Sequence, residues 1–356
     1  MKKNSLLLFS LVLLCLSSMV ATASEAARAA AILPNTTILL TNQDVPSQGD
    51  MATKIKSLSQ EDNSVFSTLG QKAASAKAGR FVGVTNLLQN VFKDTKDCKS
   101  LFMQICATYP QSNDFCILSE VDRSFTLEKF KEQLIQQAAK NEQKLTIQDG
   151  KAEGIPFVKI TQDNDQIAIA IVDDGKTFLV APEKVLLECL TRYQGKQSPA
   201  ALGDRMVALK ATAKIPATAV FQLLVDITPD MQKRIAEKSK DPENPMVGAT
   251  MDPFSKLSGF AMVCSLEEKT IDLKLLFQAE QEADVTVFKN QVLDGMIVAM
   301  APILTAALNL SKPPDFVTNL HTSQEGTLSS LTTSFSISDL DALAKFLKQM
   351  AETQSE

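Results

Sequence analysis

The side chains able to do chemistry are few and scattered. His321, in NLHTSQEG, is the single histidine of the 356 residues. Catalysis by it needs a nucleophile such as Ser323 within hydrogen-bond reach and an acid that orients the ring. No G-x-S-x-G elbow occurs in the chain, so His321 reads as a solvent-facing or hydrogen-bonded loop histidine. Carboxylates are more plentiful. Asp163, Asp165, Asp173 and Asp174 stand close together, but in segments that read as hairpin loops, where aspartate favours the turn itself. DNDQ is too short for the alternating oxygen ligands of a calcium loop. Distant carboxylates that met in space would make a secreted hydrolase with an acid–base site, the main alternative to a binding role. One histidine and no C-x-x-C pair give no basis for a zinc centre. No glycine-rich phosphate loop is found either. Neither a metal nor another cofactor is expected.

Cysteine is the remaining reactive type. Of six, Cys15 lies near the N-terminus and five follow: Cys98, Cys106, Cys116, Cys189 and Cys264. Cys189 shares a helical face with Val185, Leu186 and Leu190. Cys264 alternates with Phe260 and Met262 in a predicted strand. Both read as small buried hydrophobes. With residues 96–107 read as helix, Cys98 and Cys106 stand about 12 Å apart along the axis, too far for a bridge. Cys116 can pair with either, and Cys106–Cys116 is the expected disulfide if the chain is exported. Five is odd, so at least one thiol stays free or pairs between chains.

Export is what the first residues predict. Lys2 and Lys3, the apolar run Leu6–Val20 and the small residues Ala21-Thr22-Ala23 form the three parts of a secretory signal peptide over 1–23. The run is short for a membrane anchor, which needs roughly 20 residues. A lipoprotein reading through Cys15 is weakened by Leu14, where a small residue belongs. Cleavage after Ala23 removes two lysines and no acid, so the mature chain is more acidic than the −5 of the full sequence. That acidity, with no basic run, argues against nucleic acid as a partner.

The elements that would position these residues follow from periodicity. FCILSEV, residues 115–121, reads as a strand, and Thr126 as the cap of a helix with Leu127, Phe130, Leu134 and Ala138 on one face. Strands at 143–149, 155–161, 166–172 and 177–181 form a meander with Asp174-Gly175 at one turn. In QIAIAIV both faces are apolar, and the small alanines leave room for a helix. Pro182 opens the next helix. Residues 97–107 read as helix, 207–213 as strand, and 217–225 as helix or apolar strand. Residues 271–278 alternate as in an antiparallel strand with one wet face. The chain ends in strand, cap and helix at 329–350, with Ser338 and Asp341 as a capping box.

Such strand-to-helix turns recur, which predicts an α+β fold of antiparallel sheets covered by helices, in two halves that each end in strand, turn, helix. The expected domains are 24–195 and 206–350, with a polar tail at 351–356. Two features offer a binding surface. Loop 240–254 carries Met246, Met251 and Phe254 among prolines and glycines, as an apolar lip or as local plugs. Helix 284–308 carries Met296 and Met300 in the most apolar part of the mature chain. Its expected place is between layers, with lipid or partner contact as the alternative. The resulting expectation is an exported, non-catalytic protein of the cell envelope or exterior. It would bind an apolar small molecule, a lipid or an envelope protein, and a purely structural envelope role is a further alternative.

Overall fold

The computed structural model describes residues 25–43, 49–54, 100–109, 114–140, 145–162, 165–216, 218–239, 252–307 and 312–342. The expected leader over 1–23 and the tail 351–356 lie outside them. The fold is α+β, with antiparallel sheets flanked by helices. It divides into two compact units. Among the described residues the first holds 25–43 and 100–203, the second 49–54 and 204–342.

The first unit runs α1 (Glu25–Ala30), β1 (Ile38–Gln43), β2 (Ser100–Thr108), β3 (Asp114–Val121), α2 (Leu127–Lys140), β4 (Thr146–Ala152), β5 (Ile155–Gln162), β6 (Asp165–Val172), β7 (Thr177–Ala181) and α3 (Glu183–Tyr193). Its strand order is β1-β2-β3-β7-β6-β5-β4, antiparallel throughout. α2 covers one face of this sheet, where Phe130 and Leu134 join Ile117, Val158, Ile169, Phe178 and Val180 in one apolar cluster. The Phe130 and Phe178 rings stand 5.3 Å apart. α3 covers the other face, with Val185, Leu186, Cys189 and Leu190 buried. Ala168 and Ala170 are fully buried on β6 beneath it, where a larger side chain would lift the helix away. The Thr126 hydroxyl accepts the Lys129 N–H at 3.3 Å, as the cap reading expects.

Residues 97–107 do not form the expected helix, since Ser100–Thr108 is strand β2. Leu101 and Ile105, and likewise Phe102 and Cys106, recur at a spacing of four, which mimics a helical stripe. A strand buried on both faces is nearly continuous in apolar residues and cannot be told from a helix by period alone.

The second unit runs α4 (Asp204–Ala213), β8 (Ala219–Asp226), α5 (Pro229–Ser239), β9 (Leu257–Leu266), β10 (Thr270–Ala279), α6 (Glu282–Phe288), α7 (Asp294–Ala307), α8 (Asp315–Thr318), β11 (His321–Glu325) and β12 (Leu328–Ser336). Its strand order is β8-β9-β10-β12-β11, again antiparallel. Residues 207–213, expected as strand, belong to helix α4. Met206, Leu209 and Ala213 are its buried side, at a spacing of three and four that is visible only when Met206 is included. One face of the sheet packs Phe277 against Phe288 with ring centroids 4.7 Å apart, and Phe335 against Phe316 at 4.8 Å. The last helical turn, 337–342, is capped two residues earlier than Ser338 would place it. The Ser336 hydroxyl accepts the Asp339 N–H, and Asp339 accepts the Ser336 N–H at 2.8 Å. Residues 343–350 lie outside the described region.

The two units share part of their topology, although the first has seven described strands and the second five, with α5 between β8 and β9. Each has three antiparallel strands in sequence order and then helix. The last strand returns beside the third, and a helix follows at once.

Candidate functional site

The expected binding elements lie in the second unit. Met246 and Met251 fall outside the described residues. Phe254 sits in a 3-10 turn, Asp252–Lys256, half-buried, with its ring edge-on to Phe288 at 5.0 Å. It closes the core locally. Met296 is half-buried in α7, and Met300 lies on the same helix with its side chain outside the described set.

α7 departs from its expected place between layers. α6 buries Val285 and Phe288, and a π-helical turn, Lys289–Leu293, joins it to α7. Such a turn adds a residue to the helical repeat and rotates everything after it. Beyond it, Gly295, Val298, Ala299, Pro302 and Ala306 are exposed, Val298 by 76%. At about 100° per residue these five share one stripe, and none is polar. The start of the helix is pinned. Asp294 accepts from Lys289 Nζ at 2.8 Å and from Thr322 Oγ1 at 2.7 Å, which holds its carboxyl below the usual range. The sequence signal for this ridge is a helix that is apolar all round. That pattern means burial or contact with an apolar phase, and only packing decides between them.

Two cavities among the described residues are lined mainly by polar and charged residues. The larger, about 550 Å³, lies over an open face of the second sheet. Strand register lays Val263, Lys274, Thr332 and His321 in one row across it, and Ser265, Asp272 and Ser334 in the next. Lys274 Nζ donates to the Ala213 carbonyl at the end of α4 (3.3 Å), and Ser334 Oγ to Asp272 at 2.6 Å. His321 therefore lies on strand β11 opposite Thr332, with β12 between it and Lys274, and not in a loop. Ser323, its imagined nucleophile, is hydrogen-bonded to Ser330 at 2.7 Å. The smaller cavity, about 100 Å³, is bordered by the Arg205–Asp226 ion pair (3.0 Å).

A carboxyl of unusual acidity lies elsewhere. Glu120 on β3 is 3% exposed, and burial pushes its pKa up to about 7 against the pull of Arg28, 3.9 Å away. Asp173 adds a like charge nearby and accepts the Tyr193 hydroxyl at 2.8 Å. Glu120 lines neither cavity. The two expected disulfide partners stand opposite each other in β2 and β3, as Cys106↔Cys116. Both are buried free thiols, and Cys189 Sγ lies 3.7 Å from Cys116 Sγ. Sequence reading had taken Cys189 as a packing residue only.

No family model matches the chain, and no curated protein matches it. Among solved structures it is similar to crystal forms of TP0453. Form I aligns over 89% of this chain and 96% of that one, at 9% identity and a TM-score of 0.42. Form III covers 89% and 97% at 9% and 0.43, and form IV covers 91% and 100% at 11% and 0.41. A likeness this loose says nothing about ligand or activity.

Proposed function

We infer that the chain is an exported, non-catalytic protein of the cell envelope or exterior that binds an apolar surface. The ridge of α7 makes the contact, and a lipid layer is the surface it fits. The observation that carries this is Val298, 76% exposed within an uncharged helical stripe. A small apolar ligand calls for a concave, apolar site, whereas this ridge is convex and the two cavities described above are lined mainly by polar and charged residues. Held at its start by Asp294, the helix would lay this exposed stripe in the acyl boundary, where surface-bound helices bury their apolar side chains. Among the described residues no helix is long and apolar enough to cross a membrane. Export rests on the three-part leader read from residues 1–23.

The test is flotation with phosphatidylcholine vesicles, with and without phosphatidylglycerol. Wild type should rise with the vesicles, Val298→Leu should match it, and Val298→Asp should lose at least tenfold in bound fraction. Wild type remaining at the bottom with both vesicle types would remove the lipid reading. Capture of the ridge in a partner's groove would then be sought by cross-linking from Val298→Cys.

A further inference from the structure

Three thiols meet beneath α3. Cys106 and Cys116 oppose each other in β2 and β3, so both project from one face of the sheet. Cys189 enters the same space from α3, with Sγ 3.7 Å from Cys116 Sγ. All three are fully buried. Arg192, one turn further along α3 and 5% exposed, donates from Nη2 to Cys189 Sγ at 3.3 Å. Gln104 Nε2 donates to Cys106 Sγ at 3.6 Å.

We propose that Cys116 and Cys189 are joined by a disulfide in the oxidised protein, fastening α3 to the interior of the first sheet and leaving Cys106 a reduced thiol beside the bond. Opposed residues of antiparallel strands lie about 4.5–5.5 Å apart at Cα, so a Cys106–Cys116 bridge would also fit the chain. The thiol contact and the charges decide against it. A buried guanidinium needs an anion, and Arg192 directs a donor at Cys189. The Cys189 thiol is lowered by its bond with Cys116 and by Arg192, so it ionises first. Burial pushes the Cys106 thiol up to about 12, which makes it a poor competitor, since the thiolate is the nucleophile.

The reaction is exchange with a disulfide donor such as oxidised glutathione. The Cys189 thiolate attacks one donor sulfur, and the first donor thiolate leaves. Cys116 gives its proton to that thiolate and attacks the Cys189 sulfur of the mixed disulfide, and the second donor thiolate leaves and is protonated. Two electrons and two protons pass from the cysteine pair to the donor, which ends as two thiols. Because the thiols are buried in the folded unit, the donor reaches them in local openings of α3, in which Arg192 keeps its place one helical turn from Cys189.

The test is refolding of the reduced full chain in a mixture of reduced and oxidised glutathione, then acid quenching, alkylation and peptide mass mapping. The donor is supplied in the tube, so the outcome is independent of export and of lipid binding. A linked pair containing Cys116 and Cys189, with Cys106 and Cys264 alkylated, is the expected result. Cys106→Ser should give the same link, and reductant should lower the thermal midpoint of both proteins. A bond from Cys116 to Cys106 or Cys98, or alkylation of both Cys116 and Cys189, would overturn the assignment.

Discussion

Glu120 is the residue at which the physics of the first unit is most exposed to measurement. In FCILSEV it reads as the polar end of a strand, and nothing in its neighbours along the chain marks it as buried. It becomes so because β3 is an interior strand and because Arg28, stacked on Phe102 with its guanidinium 3.9 Å from the ring centre, closes over it. The folded pKa, about 7, is raised above the ordinary 4.5. Between those values the folded chain holds a proton that the unfolded chain has released, so stability falls as pH rises through this window and is flat above it. The full effect is roughly 3 kcal/mol at 1.36 kcal/mol per unit. Urea midpoints at pH 5 and pH 8 should therefore differ more in wild type than in Glu120→Gln. Equal differences would show that the carboxyl is solvated. Gly175 is a second residue with one tolerated identity. Its φ is +88°, and a Cβ there would sit 2.4 Å from the Phe125 carbonyl oxygen. The Phe125 N–H donates to the Gly175 carbonyl at 2.8 Å. Gly175→Ala should cost at least about 1–3 kcal/mol in backbone strain, read from the same urea curves. This position was legible, since Asp-Gly between two strands announces a turn with positive φ.

At the scale of elements, α6, the π turn and α7 form one continuous run whose two ends behave differently. Before the turn the buried residues keep step with the sheet. At its end Leu293 is still buried, while beyond it Val298 stands in solvent. Its apolar composition was plain in the sequence, but an added residue in one turn leaves no compositional mark. The direction of the stripe was therefore not legible. β2 failed for the complementary reason, because burial on both faces erased the period that separates strand from helix. The contrast across the turn predicts a pair of outcomes. Leu293→Ala removes a buried side chain and should cost about 2–5 kcal/mol, whereas Val298→Ala should change stability by no more than about 0.5 kcal/mol. Chemical denaturation of the two variants checks this. A large loss at Val298 would mean that the ridge is covered within the chain and is not a contact surface.

For the molecule as a whole, the recurring strand-to-helix turn was the most informative pattern in the sequence. β7 into α3 at Pro182, and β12 into the turn at 337–342, are the positions where it closes each unit. Local signals sufficed there, because a proline or a serine–aspartate box sets the helix start within a few residues. The groupings that depend on distant contacts were not legible. Residues 49–54, for example, belong with the second unit, where the Met51 N–H reaches the Glu268 carbonyl at 3.4 Å. Cys189 likewise met Cys116 only through folding. If each sheet with its helices is a cooperative unit, damage to one core should stay within it. Phe178 is fully buried between Phe125 and Phe130, and truncation to alanine costs about 3–5 kcal/mol. At about 1.4 kcal/mol per tenfold, amides of β3, β6 and β7 that exchange by global opening of the first unit should then exchange at least a hundred times faster. Amides of β9, β10 and β12 should keep their wild-type rates. Hydrogen exchange read by mass spectrometry on peptides from both sheets decides the matter, since equal acceleration in the second sheet would mean that the two units unfold as one.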